Sequence, residues 1–148
     1  MNTFPTHSDA WTLQRLEAPL QGRRPRIVID TDTANEVDDQ FALAWALLSP
    51  AELEVEAVYA VPFSFAHRRA SLPQAPSNAA PFDPPHSGME RSYDEIERVY
   101  SLLSLPSAGR VYRGSAGYLE SPTEARRSAA CDHLIALARS AEPEQPLY

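Results

Sequence analysis

Residues 27–48 read IVIDTDTANEVDDQFALAWALL and constrain the fold more than any other stretch. An apolar run, Ile27-Val28-Ile29, enters an acidic loop, and an Ala-rich apolar segment from Phe41 to Leu48 leaves it. Asp30, Asp32, Glu36, Asp38 and Asp39 stand here without an Arg or a Lys among them. Carboxylates this close repel one another, and more strongly in a low-dielectric pocket. Water, a bound cation or the positive end of a helix has to offset that repulsion.

The flanking patterns set the fold class. Arg26 to Ile29 reads as a short strand of the kind buried on both faces of a parallel sheet. Asp38 or Asp39 is expected to cap a helix running to about Leu48, where Ser49-Pro50 stops it. Leu53 to Ala60, LEVEAVYA, reads as a second strand, so strand, helix and strand form a βαβ unit with a right-handed crossover. Ser92-Tyr93-Asp94-Glu95 has the form of a capping box, with Ile96, Val99, Tyr100 and Leu103 at helical spacing behind it. Arg110 to Arg113 reads as a third strand, closed by Gly114. Ser121-Pro122-Thr123-Glu124 is a second capping box with proline at the first helical position, and predicts a helix to about Arg139. Leu147-Tyr148 reads as the start of a further strand.

The expectation is an α/β fold: an open, mostly parallel, three-layer Rossmann-like sheet over residues 26–148, the N-terminal portion of a longer domain. Residues 1–25 form an irregular lead-in, with Trp11, Leu13 and Leu16 packing onto the domain. An open apolar sheet edge favours association between copies, hence a homo-oligomer. Residues 61–91 are rich in Pro, Ser and Ala, and a stretch like this is a lid or a disordered segment. It follows the carboxyl end of a strand, where open α/β sheets build their sites. His67 and His86 in it are read as solvated loop residues, and protonation of a leaving group is the alternative role. Phe63, Phe65 and Tyr93 are read as packing residues that could otherwise stack on a base, and Arg68-Arg69 as facing solvent.

A length of 148 residues suits one domain with a real core. The net charge of -7 argues against a nucleic-acid partner. A single cysteine, Cys131, excludes an internal disulfide and gives no zinc pattern; it is read as a small buried residue of the last helix. The N-terminus lacks a signal-peptide layout and no apolar run spans a bilayer, so the expected location is cytoplasmic, without a membrane partner.

Two families share parts of the acidic loop. Asp30 and Asp32 resemble the Asp-x-Asp of haloacid dehalogenase-type phosphatases, a nucleophile and a general acid beside magnesium. Ala34 stands where that pattern has Thr or Val, and Asp38-Asp39 has no part in it. The fuller resemblance is to the inosine-uridine preferring nucleoside hydrolases, whose first strand leads into Asp-x-Asp-Pro-Gly-x-Asp-Asp and an Ala-Leu helix. Asp30, Asp32, Asp38, Asp39, Ala42 and Leu43 fit it, and VYRGS at Val111 to Ser115 resembles the family's third-strand segment. NEVDDQ and GMERSY (Gly88 to Tyr93) resemble a divergent branch of that family. TANEV replaces Pro-Gly-x and makes the loop two residues longer, and Ala60-Val61-Pro62-Phe63 stands where the main family has Gly-Asn after the second strand.

That resemblance implies a calcium ion held by aspartates and by the 2′- and 3′-hydroxyls of a nucleoside or related riboside. Asp32 and Asp39 would be metal ligands, Asp38 would bond a ribose hydroxyl, and Asp30 would support the loop behind them. Asn35 and Glu36 would touch sugar or metal, a solvated turn being the equal alternative. Asp32 would be the general base for water attacking C1′ through an oxocarbenium-like transition state. The family's later His-Asp pair and a calcium-binding carbonyl fall beyond Tyr148 in its order. A non-catalytic sugar- or calcium-binding module is the reading from another class.

Overall fold

A computed structural model describes residues 6–16, 24–64, 84–142 and 145–148. Strands β1 (Arg26–Thr31), β2 (Glu54–Ala60) and β3 (Val111–Arg113) form an open parallel sheet with β2 in the centre. Helices α2 (Val37–Leu47) and α3 (Pro85–Leu102) cover one face. There Leu43 of α2 and Met89, Ile96, Val99 and Tyr100 of α3 pack on Val55, Val58, Ala60 and Val111. The other face is covered by α4 (Ala129–Arg139), whose Ala130 packs with Ala57, Tyr59, Val28 and Tyr112. This is the α/β class that the apolar runs predict.

A bulge at Glu56 sets which β2 residues share a face. Ile27 pairs with Val55 and Val28 with Ala57, so Glu56 is the extra residue. It shifts the two-residue alternation, and Val55 and Val58 both reach the α2–α3 core. The side chain of Glu56 accepts from Arg26 Nε. Leu147 bridges Arg26 in parallel, and the backbone N–H groups of Tyr148 and Val28 donate to Arg26 O and Tyr148 O at 2.8 Å each. The predicted strand start therefore lies along the other edge of β1.

Several boundaries differ from expectation. The lead-in carries a helix, α1 (Asp9–Leu16), begun by Ser8, whose Oγ accepts from Trp11 N at 3.2 Å. Trp11 and Leu13 are exposed rather than packed on the sheet. Neither Asp38 nor Asp39 caps α2: Glu36 holds the N-cap position without a side-chain bond, and both aspartates fall in the first turn. The helix dipole favours them there all the same. The Ser92 box starts nothing, because α3 already begins at Pro85 and Ser92 is fully buried inside it. Met89 continues the apolar period of Ile96 and Val99, and burying it extends the helix beyond the local signal. Residues 85–91 of the expected loop are thus helical, and its residues 65–83, with Phe65, His67, Arg68 and Arg69, lie outside the described residues.

The Ser121 box also fails to open a helix. Ser121 Oγ accepts from Thr123 N at 3.2 Å in a local turn, and α4 starts later, behind Ser128, whose Oγ accepts from Cys131 N at 3.1 Å. Residues 122–128, PTEARRS, offer almost no apolar surface to bury, so the turn has no tertiary reason to become a helix. Cys131 is exposed, one position round the helix from buried Ala130.

Two core hydroxyls, those of Ser92 and Tyr100, are left without a hydrogen-bond partner among the described residues. Tyr100 is 1% exposed and its hydroxyl has no partner among the described residues. Burial pushes its pKa up, which matches a phenol held in an apolar setting. Replacing Tyr100 with phenylalanine removes that uncompensated group, so a gain of about 1 kcal/mol is expected. A higher urea midpoint at unchanged slope is the readout, and a lowered midpoint would reveal a bond to the hydroxyl.

Candidate functional site

The register aligns the carboxyl ends of all the strands in one row: Thr31 opposite Ala60, and Ala60 opposite Arg113. Val61 N donates to Thr31 O at 3.0 Å and Gly114 N to Ala60 O at 2.8 Å, so the chain stays tied as it leaves the sheet. A Cβ on Gly114 would stand 2.3 Å from the Ala60 carbonyl oxygen, so only glycine permits this approach. The acidic loop rises from the β1 end of the row, where crevices of open α/β sheets hold ligands.

Two small networks shape the loop. Thr31 Oγ1 donates to Asp39 Oδ1 at 2.7 Å, and Thr33 Oγ1 lies 3.0 Å from Thr31 Oγ1. Both threonines are buried, so Asp39 is fastened to the strand end from the first turn of α2. Asn35 closes the turn on Asp32: its backbone N–H donates to Asp32 O at 2.7 Å and its Nδ2 to Asp32 Oδ2 at 2.9 Å. The Asn35 Oδ1 atom is buried with no hydrogen-bond partner among the described residues. Asp38 and Glu36 are exposed on the rim. The acidic pattern by itself points to neither Thr31 nor Thr33; their alternation with Asp30 and Asp32 in the run DTDT is the one signal for them.

The neighbouring helix braces the loop. Gln40 Nε2 donates to Glu95 Oε1, linking α2 to α3. Its bond with Arg98, and secondarily that with Gln40, holds the Glu95 carboxyl below its ordinary range. Arg113 donates from Nε to both Glu90 oxygens at 2.9–3.0 Å and stacks over the Tyr93 ring at 3.7 Å. Tyr93 is therefore engaged with Arg113. Phe63 is buried, as expected of a packing residue, and His86 is exposed in the first turn of α3.

Asp30 belongs to the other face. Its partner across the strands is Tyr59, in the cluster beneath α4. The Tyr59 hydroxyl lies 2.9 Å from His133 Nδ1, and the Tyr112 ring stacks on His133 at 4.0 Å. Burial first, then the neighbouring Tyr112 and Asp30, pushes Tyr59 up to about 12, so the phenol keeps its proton, and the His133 tautomer sets which of the two donates. The Asp30 side chain retains contact with solvent, yet the surrounding protein removes enough water to raise its carboxyl above the ordinary 3.8. The native state thus holds that proton more tightly than the unfolded chain. Stability falls as pH rises from 3.8 through the raised value, then stays lower. Asp30→Asn is expected to raise the melting temperature at neutral pH, with the gain vanishing below pH 3.8. Melts across that range check the sign.

Among the described residues, no three His, Cys, Asp or Glu side chains converge as a metal-binding group. The acidic loop carries oxygen donors, the carboxylates of Asp32 and Asp39 and the buried amide oxygen of Asn35, and oxygen is the ligand type hard cations take. A cleft of about 310 Å³ lies at the opposite end of the strands, beside Arg24, Glu54, Tyr100 and Arg110. Its charges are already engaged: Arg24 bonds Pro50 O at 2.6 Å, and Arg110 bonds Val55 O at 2.9 Å. The acidic loop is the better candidate for chemistry.

No protein-family model, curated protein or solved structure matches the chain. Fold and site define an α/β protein with an open parallel sheet and an acidic loop at its carboxyl edge. No helix among the described residues is long and apolar enough to cross a membrane.

Proposed function

We propose that the chain forms the acidic half of a nucleoside hydrolase-like site, one that binds a riboside and cleaves its N-glycosidic bond. The observation that carries this reading is Asn35, which orients Asp32 through Nδ2 and keeps a buried, unpaired Oδ1 beside it. A polar atom buried without a partner is costly, and a ligand that pairs with it removes that cost. Asp32, Asp39 and the Asn35 amide oxygen would hold the calcium ion, which would neutralise the carboxylates and polarise water. Asp38 and Glu36, exposed on the rim, are free to accept hydrogen bonds from sugar hydroxyls. Asp32 takes the proton of the attacking water as its oxygen bonds C1′. The C1′–N bond breaks and the base leaves with its electron pair.

Calorimetry of the intact chain with calcium, then with inosine and uridine, tests the reading alongside an assay for released base. Calcium-dependent riboside binding with base release supports it. Calcium-dependent binding without release assigns a non-catalytic sugar-binding module instead. Absence of both calcium and riboside binding overturns both.

A further inference from the structure

Helix α2 is apolar on two sides. Leu43 faces the core at 1% exposure, while Val37, Phe41, Trp45 and Leu48 are 66%, 71%, 76% and 65% exposed. At helical spacing these four lie within an arc of about 80° on the side away from Leu43. Beyond Asp38 and Asp39 the helix carries no charge, so nothing interrupts the stripe. A helix apolar all round is one whose two faces are both meant to be buried.

We propose that this stripe is the interface of a two-fold symmetric homodimer, with α2 packed antiparallel against α2 of a second copy. The order of the stripe favours a second copy over an unrelated partner. It runs aliphatic, aromatic, aromatic, aliphatic and is nearly symmetric about residue 43. An antiparallel crossing there sets Phe41 against Trp45 of the partner subunit, and Val37 against Leu48 of the partner subunit. That is the self-complementarity a two-fold contact requires. The spacing 37, 41, 45 is a four-residue ridge, and two such ridges interdigitate at about −50°. The aromatic rings offer roughly 150 Å² each, so two facing stripes remove about 1,000 Å² from water, the threshold for a specific interface. Each copy carries a charge of -7, so screening by salt should tighten the dimer.

Sedimentation equilibrium of the intact chain over about 1–100 μM tests the proposal. The wild-type chain is expected to be a dimer in that range, more tightly so in high salt. Phe41→Glu and Trp45→Glu should each weaken it by about 100-fold, as buried aromatic anchors do. Their circular dichroism should be unchanged, since both side chains face solvent in the single copy. Leu134→Glu, on the exposed side of α4, should leave the dimer intact. In a Cys131→Ser background, mixed Phe41→Cys and Trp45→Cys chains should cross-link to each other in preference to themselves. A monomer throughout the range, a dimer indifferent to both glutamates, or cross-linking without that preference overturns the proposal.

Discussion

Gly88→Ala is expected to destabilise the fold by about 3 kcal/mol. On an ordinary helix the same substitution stabilises by about 1 kcal/mol, because glycine is a poor helix former. Tertiary approach reverses the sign. A Cβ at Gly88 would stand 2.1 Å from Phe63 O and 2.9 Å from Phe63 C and N. All of these are backbone atoms, so no side chain can rotate aside, and either α3 or the segment after β2 must move. That segment leaves the row of strand ends beside the acidic loop, so the displacement should reach the site as well. GMERSY thus has a packing explanation: Gly88 admits Phe63, Met89 and Ser92 are buried, and Tyr93 carries Arg113. Urea unfolding of Gly88→Ala decides the matter by sign alone, and a gain in stability would refute the close approach.

Asp39→Ala is expected to abolish the heat of calcium binding if the proposed function holds, because it removes one of two carboxylate donors. Thr31→Val separates that role from the tether. It keeps the Asp39 carboxylate but removes the hydroxyl that donates to Oδ1 at 2.7 Å. Affinity should then fall by roughly 10–100-fold rather than vanish, the usual consequence of losing a group that orients a ligand. Unchanged calcium affinity in Asp39→Ala would exclude this residue from the site. An unchanged affinity in Thr31→Val would show that the tether does not position it.

The sequence by itself determined those features whose physics is local or strongly periodic. The short apolar stretches around Ile27, Val58 and Val111 read as strands of a parallel sheet and form one, with β2 buried and its two neighbours partly so. The acidic loop had to follow the first strand, and Leu147-Tyr148 had to continue the alternation; it lies on the edge of β1. Only the tertiary structure decided the rest. Capping boxes at Ser92 and Ser121 are bonds a turn can satisfy as well as a helix, and burial chose: Met89 drew α3 back to Pro85, while PTEARRS had nothing to bury. The extra residue Glu56 reset which side chains of β2 share a face, and no local pattern announces a bulge. Asp30 and Asp32 stand two apart in the sequence. Yet the strand holds one beside Tyr59 beneath α4, and the turn gives the other to Asn35. Proximity along the chain is set by covalent bonds. Which carboxylates share a pocket is set by where the strand ends, and packing decides that.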